Sequence, residues 1–327
     1  MNPRVSFIVP CYNYGRFLAQ ALDSLLAQTF RELEVIVIDD GSTDETQDVL
    51  KRYAALEQVR VIRHQQNQGN IRSCNEGIGL AQGEFVGVLA SDDYFLRMDA
   101  VALVVEAFDA HPDVGFVYQG QQLVDERGVE LSICQPHPGD YVRDGLDEFA
   151  EQVFGISIDG SGLLIRRECH SEIGLYDPRL PHVGDWDLWF RIMMRYRVGY
   201  IADLLVAKRM HSSNMSHTMI SARTAVEEKR KVVRDAFDGL PAGAPESLRR
   251  MRRAAIDRSL LNESYCNRCL GRIKRSWQSL LQAVVVSPAL LAKPAFYVEL
   301  ARLSVQTAIG QTFYTNLAVL RRAWLRP

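Results

Sequence analysis

The sequence lacks long hydrophobic runs. About 18 consecutive apolar residues, the length that a membrane-spanning helix needs, occur nowhere in the 327 residues. The first residues, Met1-Asn2-Pro3-Arg4, pass directly into an apolar run that is too short for the core of a secretory signal. We therefore expect a cytoplasmic protein without a simple membrane span.

The sequence also lacks the glycine-rich motifs that hold phosphates in many nucleotide-binding proteins. Neither a G-x-G-x-x-G fingerprint nor a P-loop follows the first predicted strand. This excludes the usual dinucleotide-binding and P-loop enzyme classes. Any nucleotide bound by this chain has its phosphates held by a metal ion and basic side chains.

A net charge of −2 hides an uneven distribution of charge. Residues 1–217 contain 19 Lys and Arg against 32 Asp and Glu, whereas residues 218–327 contain 19 against 8. We therefore expect two regions with different partners, at 1–217 and 218–327. Acidic surfaces repel nucleic acid, and the basic region has no base-stacking aromatics interleaved with its cations, so no nucleic-acid partner is expected.

Short apolar runs alternate with helically spaced segments over residues 4–118. The predicted strands are 4–9, 33–38, 59–64, 84–89 and 114–118, and the predicted helices are 16–28, 45–53, 71–81 and 98–111. We expect the first strand to end at Pro10, because proline cannot donate to a central ladder. The alternation indicates an α/β fold with a mostly parallel, Rossmann-like sheet and helices on both faces.

Polar loops follow three of these strands, at Tyr12-Asn13, Asp39-Asp40 and Asp92-Asp93. The carboxyl ends of parallel strands meet at one edge of a sheet, which is where such sheets bind ligands. Adjacent carboxylates repel each other unless donors or a cation hold them, and Mg²⁺ prefers such oxygen ligands. The alternative for Asp92-Asp93 is a solvated turn before the next helix.

Beyond residue 118 the pattern changes. We predict a hairpin over 122–133, a helix at 146–153, a strand at 161–166 and a last strand at 200–207. Gly184-Asp185-Trp186-Asp187 begins another helix, where Asp185 is either a capping residue or a site residue. Asp187 lies two positions further on and faces another side, so we expect capping or an ion pair there.

The ordered series of motifs resembles the family 2 inverting glycosyltransferases with the GT-A fold. The motifs span about residues 4–217, and each alone is weak. They are Phe7-Ile8-Val9-Pro10-Cys11-Tyr12-Asn13, Val37-Ile38-Asp39-Asp40-Gly41-Ser42-Thr43-Asp44, Asn67-Gln68-Gly69, Arg72 with Asn75 and Gly77, Ser91-Asp92-Asp93, Ile173-Gly174-Leu175-Tyr176-Asp177, Gly184-Asp185-Trp186-Asp187-Leu188-Trp189, and Arg209-Met210-His211 with Ser216. The resemblance implies a nucleotide-binding half at 1–118 and an acceptor half at 119–217.

The resemblance assigns nine residues to the nucleotide-sugar donor. They are Pro10, Tyr12, Asn13, Asp39, Asp40, Gly41, Arg72, Ser91 and Asp92. Tyr12 is implied to lie against the face of the base, and Asp39 to accept a hydrogen bond from a base N–H. Asp40 and Gly41 are implied to shape the ribose side, and Arg72 to lie near the diphosphate.

The resemblance also implies the reacting groups. Asp93 is expected to hold Mg²⁺ or Mn²⁺, and Asp185 to act as the catalytic base. His211 is expected to give a further metal or phosphate contact, with a surface or core histidine as the alternative. Trp186 is a candidate acceptor contact, with a place in the core as the alternative. Relatives often have Glu where this chain has Gly184. They also often have a third acid where it has Ser91, so metal binding is expected to depend largely on Asp93.

These implications predict an inverting, metal-dependent glycosyltransferase. The expected donor is a nucleotide-diphospho-sugar, with uridine as the default base and thymidine or guanosine left open. The expected acceptor is a glycan or lipid-linked sugar in cell-surface polysaccharide synthesis. A non-catalytic nucleotide- or glycan-binding protein on the same fold is the alternative. Synthesis of the sugar nucleotide itself is disfavoured because no glycine-rich triphosphate loop is present.

Residues 218–327 have a basic, helical pattern. Arg249-Arg250-Met251-Arg252-Arg253 and Arg272-Ile273-Lys274-Arg275-Ser276-Trp277 are the densest cationic stretches, and Pro288 and Pro294 are expected to divide the region into short helices. Basic amphipathic helices with a Trp favour contact with an anionic membrane surface. A solvated helical cap or an oligomer contact is the equal alternative.

Overall fold

The computed structural model describes residues 3–211, 214, 222–269 and 271–309. The chain divides into two compact units, one formed by residues 1–152 with 156–215 and the other by residues 153–155 with 216–327. None of the helices in the described ranges has the length and apolar character that a membrane span requires.

The first unit is built on a ten-stranded mixed sheet. Its strands are β1 (Val5–Cys11), β2 (Leu33–Asp39), β3 (Val59–Arg63), β4 (Phe85–Val88), β5 (Tyr94–Phe95), β6 (Val114–Val124), β7 (Glu130–Cys134), β8 (Tyr141–Arg143), β9 (Leu164–Arg166) and β10 (Arg197–Arg209). The strand order is β3-β2-β1-β4-β9-β6-β10-β5, with β7 on β6 and β8 on β10.

The first four strands of this order are parallel, as the alternation of elements predicts. β10 is also parallel to β6. β9 is antiparallel to both of its neighbours, β4 and β6, so the sheet is mixed at its centre. The expected hairpin is present, since β6 and β7 pair antiparallel across a turn in which the Asp125 carboxylate accepts the N–H groups of Arg127 and Val129 at 2.8 and 2.9 Å.

Helices cover both faces of the parallel part. The helices of this unit are α1 (Gly15–Leu26), α2 (Thr46–Leu50), α3 (Asn70–Leu80), α4 (Ala100–Ala110), α5 (Gly145–Gln152), α6 (Arg167–Ile173) and α7 (Gly184–Met193). Successive β1 side chains point to opposite faces: Phe7 packs in the core that includes α1 and α4, whereas Ile8 packs in a second core with Ile78 of α3. Apolar residues on both faces explain why β1 and β2 have continuous rather than alternating hydrophobic sequences.

β1 continues through Pro10 to Cys11, one residue beyond the expected end. The carbonyl of Ile8 accepts the N–H of Leu89, so Ile8 faces β4, and Pro10, two residues later, has the same orientation. β4 has already ended at Val88, and no ladder hydrogen bond is lost where the proline lacks its N–H.

The second unit is helical in its described part. Its elements are α8 (Ala222–Asp238), α9 (Glu246–Cys269), α10 (Ile273–Val286), a 3₁₀ turn (Pro288–Ala292) and α11 (Pro294–Ile309). Pro288 and Pro294 do interrupt the helices, as expected. However, α9 is 24 residues long rather than short, because no proline or glycine occurs within it.

Candidate active site

The three polar loops meet at the carboxyl edge of the parallel strands. Cys11 lies beside Asp39 in the β1–β2 register, and the carbonyl of Cys11 accepts the N–H of Asp40 at 2.8 Å. β4 lies on the other side of β1 and delivers the loop with Asp92 and Asp93 to the same edge. The structure therefore brings these three pairs of residues together.

Asn13 fixes the first of these loops to the second. It has a positive φ of 58°, which Asn tolerates better than most residues. Its N–H donates to Ser42 Oγ at 3.0 Å, and its side-chain Oδ1 accepts the Thr43 N–H at 2.8 Å. The neighbouring Tyr12 has 43 % of its surface exposed, so its ring is open to a stacking ligand.

Asp39 is fully buried and held by protein donors. Its Oδ1 accepts the N–H of Ser42 at 2.9 Å. Its Oδ2 accepts the Gln47 side-chain amide and lies 3.5 Å from Nε of Arg63. Gln47 and Arg63 therefore contact Oδ2 of Asp39, the carboxylate oxygen that does not accept the Ser42 N–H.

Asp40 has a complete set of donors. Its Oδ1 lies 2.7 Å from Nδ1 of His64 and accepts the Gln68 N–H at 2.8 Å, and its Oδ2 accepts the Gly69 N–H at 2.8 Å. Gly41 follows with a φ of 77°, and a Cβ atom there lies only 2.9 Å from the backbone carbonyl carbon of Gln66. Only glycine fits this close approach of two backbones.

Two predicted donor residues lie at or near the surface. Arg72 is exposed near the start of α3, and Pro10 is half-buried at the end of β1.

Ser91 and Asp92 are buried in the loop after β4. The Asp92 Oδ2 lies 3.0 Å from both Nε2 of His211 and Nδ2 of Asn214. His211 and Asp92 are thus partners across 119 residues of sequence.

The end of β10 holds the loop after β4. The backbone N–H of Arg209 donates to Asp93 Oδ1 at 2.8 Å, and its guanidinium Nε donates to the carbonyl of Asp92 at 3.0 Å. Burial and the neighbouring charge of Asp92 raise the pKa of Asp93 well above the usual range of a carboxyl group. The charge of Lys208 acts in the opposite direction and favours the ionised form of Asp93.

Two residues that sequence reasoning missed lie between the predicted ones. Lys208, near the end of β10, forms an ion pair with Asp159. Burial by itself lowers the pKa of Lys208, but the negative charges of three carboxylates outweigh burial and raise it. These carboxylates belong to Asp159, Asp93 and Asp185. The charges of Lys208 and Asp159 therefore act on both Asp93 and Asp185.

Asp185 is half-buried in the first turn of α7. Val183 occupies the N-cap position, and no side chain caps the helix, so the capping role is not seen. Burial raises the pKa of Asp185 to about 6, against a lowering effect of the Trp186 N–H, which donates to its Oδ1 at 2.8 Å. A carboxylate with this pKa is ionised at neutral pH and is more basic than an ordinary aspartate.

The neighbours of Asp185 on α7 have other roles. Asp187 forms an ion pair with Arg191 at 2.8 Å, as its position on the helix predicts. Trp189 is fully buried in the core. Trp186 is half-buried, and its ring centroid lies 6.5 Å from that of Phe190 in an edge-on arrangement.

Comparison with known proteins assigns the chain to a family. Residues 6–150 match the glycosyl transferase family 2 profile. An uncharacterized glycosyltransferase of Rickettsia typhi is 30 % identical over 222 residues, which is 67 % of this chain and 68 % of that protein.

Two solved structures have a similar fold. Staphylococcus aureus TarS 1–349 in complex with UDP-GlcNAc has a TM-score of 0.69 at 19 % identity, covering 94 % of this chain and 92 % of that one. Mannosyltransferase PcManGT from Pyrobaculum calidifontis, in complex with GDP-Man and Mn²⁺, has a TM-score of 0.60 at 19 % identity, covering 100 % and 89 %. The fold is that of a GT-A glycosyltransferase. The chain belongs to glycosyl transferase family 2.

Proposed function

We propose that this glycosyltransferase moves a sugar, with inversion, from a nucleotide-diphospho-sugar to a glycan or lipid-linked acceptor in cell-surface polysaccharide synthesis. A UDP-sugar is the expected donor. The observation that supports the proposal is Lys208, near the end of β10, on which the charges of both Asp93 and Asp185 act. One carboxylate is thereby available as a base while the other lies where the diphosphate is expected.

Asp185 is the proposed base. The attacking hydroxyl is a poor nucleophile and becomes reactive when a carboxylate accepts its proton. The raised pKa of Asp185 makes this transfer more favourable than with an ordinary aspartate, and its half-buried position leaves a face open to an acceptor. Direct attack from the Asp185 side, with departure of the diphosphate on the other, inverts the anomeric centre.

The residues present fit a divalent cation with few protein ligands. Among the described residues, no group of three His, Cys, Asp or Glu side chains is close enough to hold a metal ion. Asp93 offers a buried carboxylate, and Nδ1 of His211 is buried without a hydrogen-bond partner in the described part of the chain. Asp93 and His211 would hold Mg²⁺ or Mn²⁺ there, and the ion would supply Lewis-acid stabilisation of the leaving diphosphate.

The donor residues keep the roles that the family resemblance implies. Tyr12 is proposed to stack on the base beside Pro10 and Asn13, and Asp39 to accept from the base after Gln47 moves aside. The exposed position of Arg72 on α3 suits a contact with the diphosphate. Asp40, Gly41, Ser91 and Asp92 form the ribose and sugar side of the same proposed site, and Trp186 is the proposed acceptor contact.

A thermal-shift screen tests the donor assignment. We expect UDP and UDP-sugars to raise the melting temperature, and Mn²⁺ to enlarge that shift, because a ligand that binds the folded state stabilises it. At a concentration of about 100 times Kd the stabilisation is about 2.7 kcal/mol. No shift with any uridine, thymidine or guanosine diphosphate sugar, with or without Mn²⁺, contradicts the proposal. Binding of the glycan alone supports the non-catalytic alternative.

We also propose that the second unit contacts an anionic membrane surface, which keeps the enzyme near a lipid-linked acceptor. Residues 218–327 carry 19 Lys and Arg against 8 Asp and Glu. On α10, Leu281 and Val285 are 63 % and 64 % exposed and lie one turn apart on one face. Lys274 lies on the same face nearer the start of the helix and is exposed. An apolar strip with cations beside it is typical of peripheral membrane helices.

Sedimentation with vesicles tests the membrane contact. We expect the full chain to bind phosphatidylserine vesicles at low salt, to bind phosphatidylcholine vesicles less, and to be released by salt. Replacing Leu281 and Val285 together by Ser is expected to weaken binding about tenfold or more, since each apolar side chain loses its burial in the interface.

The matched control replaces Val129 and Leu131, which are 60 % and 58 % exposed in the first unit, by Ser. Equal loss of vesicle binding in both double variants, or no binding by the full chain at low salt, rejects this surface. A concentration-dependent increase in mass without vesicles supports the oligomer alternative instead.

A further inference from the structure

His64 is a buried histidine whose two ring nitrogens both contact carboxylates. It directly follows β3 and is 7 % exposed. Nδ1 lies 2.7 Å from Asp40 Oδ1, and Nε2 lies 2.7 Å from Glu76 Oε2 on α3. A neutral imidazole has one N–H donor and one acceptor, so it cannot donate to two carboxylates. With both carboxylates ionised, the two contacts require the charged imidazolium.

The surroundings of His64 favour its charged form. The N–H groups of Gln68 and Gly69 donate to Asp40 and stabilise its negative charge. The Glu76 side chain is 41 % exposed to solvent. Burial by itself lowers the pKa of His64, but the hydrogen bonds and charges of Asp40 and Glu76 outweigh burial and raise it. Arg63, the neighbouring charge on β3, is paired with Asp39 instead.

The contacts of His64 join three parts of the site edge. Asp40 lies in the loop after β2, His64 lies at the end of β3, and Glu76 lies on α3. The same Asp40 carboxylate holds the loop before α3 through two backbone N–H groups. Beyond Gly41, Ser42 Oγ accepts the N–H of Asn13 in the loop after β1. The imidazolium therefore supports the loops on both sides of the proposed nucleoside position.

We propose that His64 is a positioning residue for the nucleotide-sugar: its imidazolium joins Asp40 to Glu76 and holds the nucleoside-binding loops in place. This inference rests on the proposed donor site at this edge. When His64 loses its proton, one of its two hydrogen bonds to the carboxylates is lost, and so is the positive charge that both carboxylates contact. The loops then lose their support, and the donor binds more weakly.

The direction of the pH effect follows from the raised pKa of His64. A histidine whose pKa is higher in the folded protein than its ordinary value of about 6.5 stabilises the structure fully below that value. The stabilisation is lost as the pH rises through the folded-state pKa. By the same linkage, donor affinity is constant below the His64 pKa of the free protein, which is raised above its ordinary value. Above it, affinity falls by up to tenfold per pH unit until the His64 pKa of the bound protein is passed.

Calorimetric titration of the full chain with UDP-GlcNAc, between about pH 5.5 and 8.5, measures this effect. The diphosphate diester of this donor carries no group that titrates in that range, so the ligand does not contribute. Glu76→Gln keeps a hydrogen-bond acceptor but removes a charge, and we expect it to move the fall in affinity to lower pH. Glu106→Gln, on the exposed face of α4, is the matched control and leaves the profile unchanged.

Kinetics separate positioning from catalysis. In Glu76→Gln the KM for the donor is expected to rise at the upper end of the pH range, while kcat at saturating donor is kept. His64→Gln is expected to give a weak, pH-independent donor affinity. A Glu76→Gln profile with the same midpoint as the wild type overturns the proposal.

Nuclear magnetic resonance distinguishes an incorrect role for His64 from an incorrect donor assignment. The ring protons of His64 report its pKa directly in the free protein, and amide exchange at Gln68 and Gly69 reports the loop. We expect a pKa above about 6.5 and faster exchange at both amides once His64 loses its proton. If UDP-GlcNAc fails to bind at every pH, the proposed donor is wrong, but these signals still decide the role of His64. A His64 pKa at or below about 6.5 rejects it.

Discussion

An Asp185→Asn variant is expected to lose turnover while still binding the donor. The amide keeps the size of the side chain and its acceptance of the Trp186 N–H, but it cannot take a proton from the acceptor hydroxyl. Loss of a general base typically costs about 10²- to 10⁴-fold in rate. Product formation from donor and acceptor, followed at saturating donor, measures the loss. Calorimetry with the nucleoside diphosphate checks that its Kd is unchanged.

Asp187→Asn is the matched control for this prediction. It makes the same chemical change two residues away, where the carboxylate pairs with Arg191 rather than facing the acidic site. We expect its turnover to remain within a few-fold of the wild type. Turnover that survives in Asp185→Asn and disappears in Asp187→Asn would falsify the assignment of the base.

The pH profile of the wild type offers an independent check on the same residue. Asp185 must be ionised to accept a proton, and burial raises its pKa to about 6. The value of kcat/KM is therefore expected to fall as the pH drops through about 6. Asp185→Asn, if residual activity is measurable, is expected to lack this acid limb.

The parallel part of the fold was predictable because its signals are local. β1, β2 and β4 each read as an apolar run that ends in polar residues, and strands of this kind pair in order with helices between them. This rule alone predicts that Asp39 and Asp92 lie at the same edge of the sheet, and β1 is indeed parallel to both β2 and β4. The antiparallel insertion of β9 between β4 and β6 was not predictable, since it depends on pairing with strands far away in the sequence.

Most of the predicted site residues follow strand ends, whereas several of their supporting partners escaped prediction. Asp159 follows no strand in the sequence pattern and carries no motif, and its importance appears only when β10 places Lys208 beside it. His64 was read as the last residue of a strand, although its two carboxylate partners lie 24 and 12 residues away. Contacts of this kind depend on tertiary packing, and a single sequence contains no local signal for them.

An Asp93→Asn variant is expected to lose the enhancement of nucleoside-diphosphate binding by Mn²⁺. The amide oxygen can still accept the N–H of Arg209, which holds the loop to β10, so the change removes the charge and leaves that support. Asp93→Ala removes both. Without a metal to offset the charge on the leaving diphosphate, turnover is expected to fall by about 10²-fold or more in either variant.

Asp92→Asn separates metal binding from donor binding. Asp92 is held by His211 and Asn214, and its proposed contact is with the ribose or sugar. We expect this variant to weaken donor binding by the same factor with and without Mn²⁺, whereas Asp93→Asn weakens it only when Mn²⁺ is present. Calorimetric titration of UDP at several Mn²⁺ concentrations distinguishes the two patterns. An undiminished effect of Mn²⁺ in Asp93→Asn means that another group holds the cation, and the charge on the diphosphate is then offset from a different side of the site.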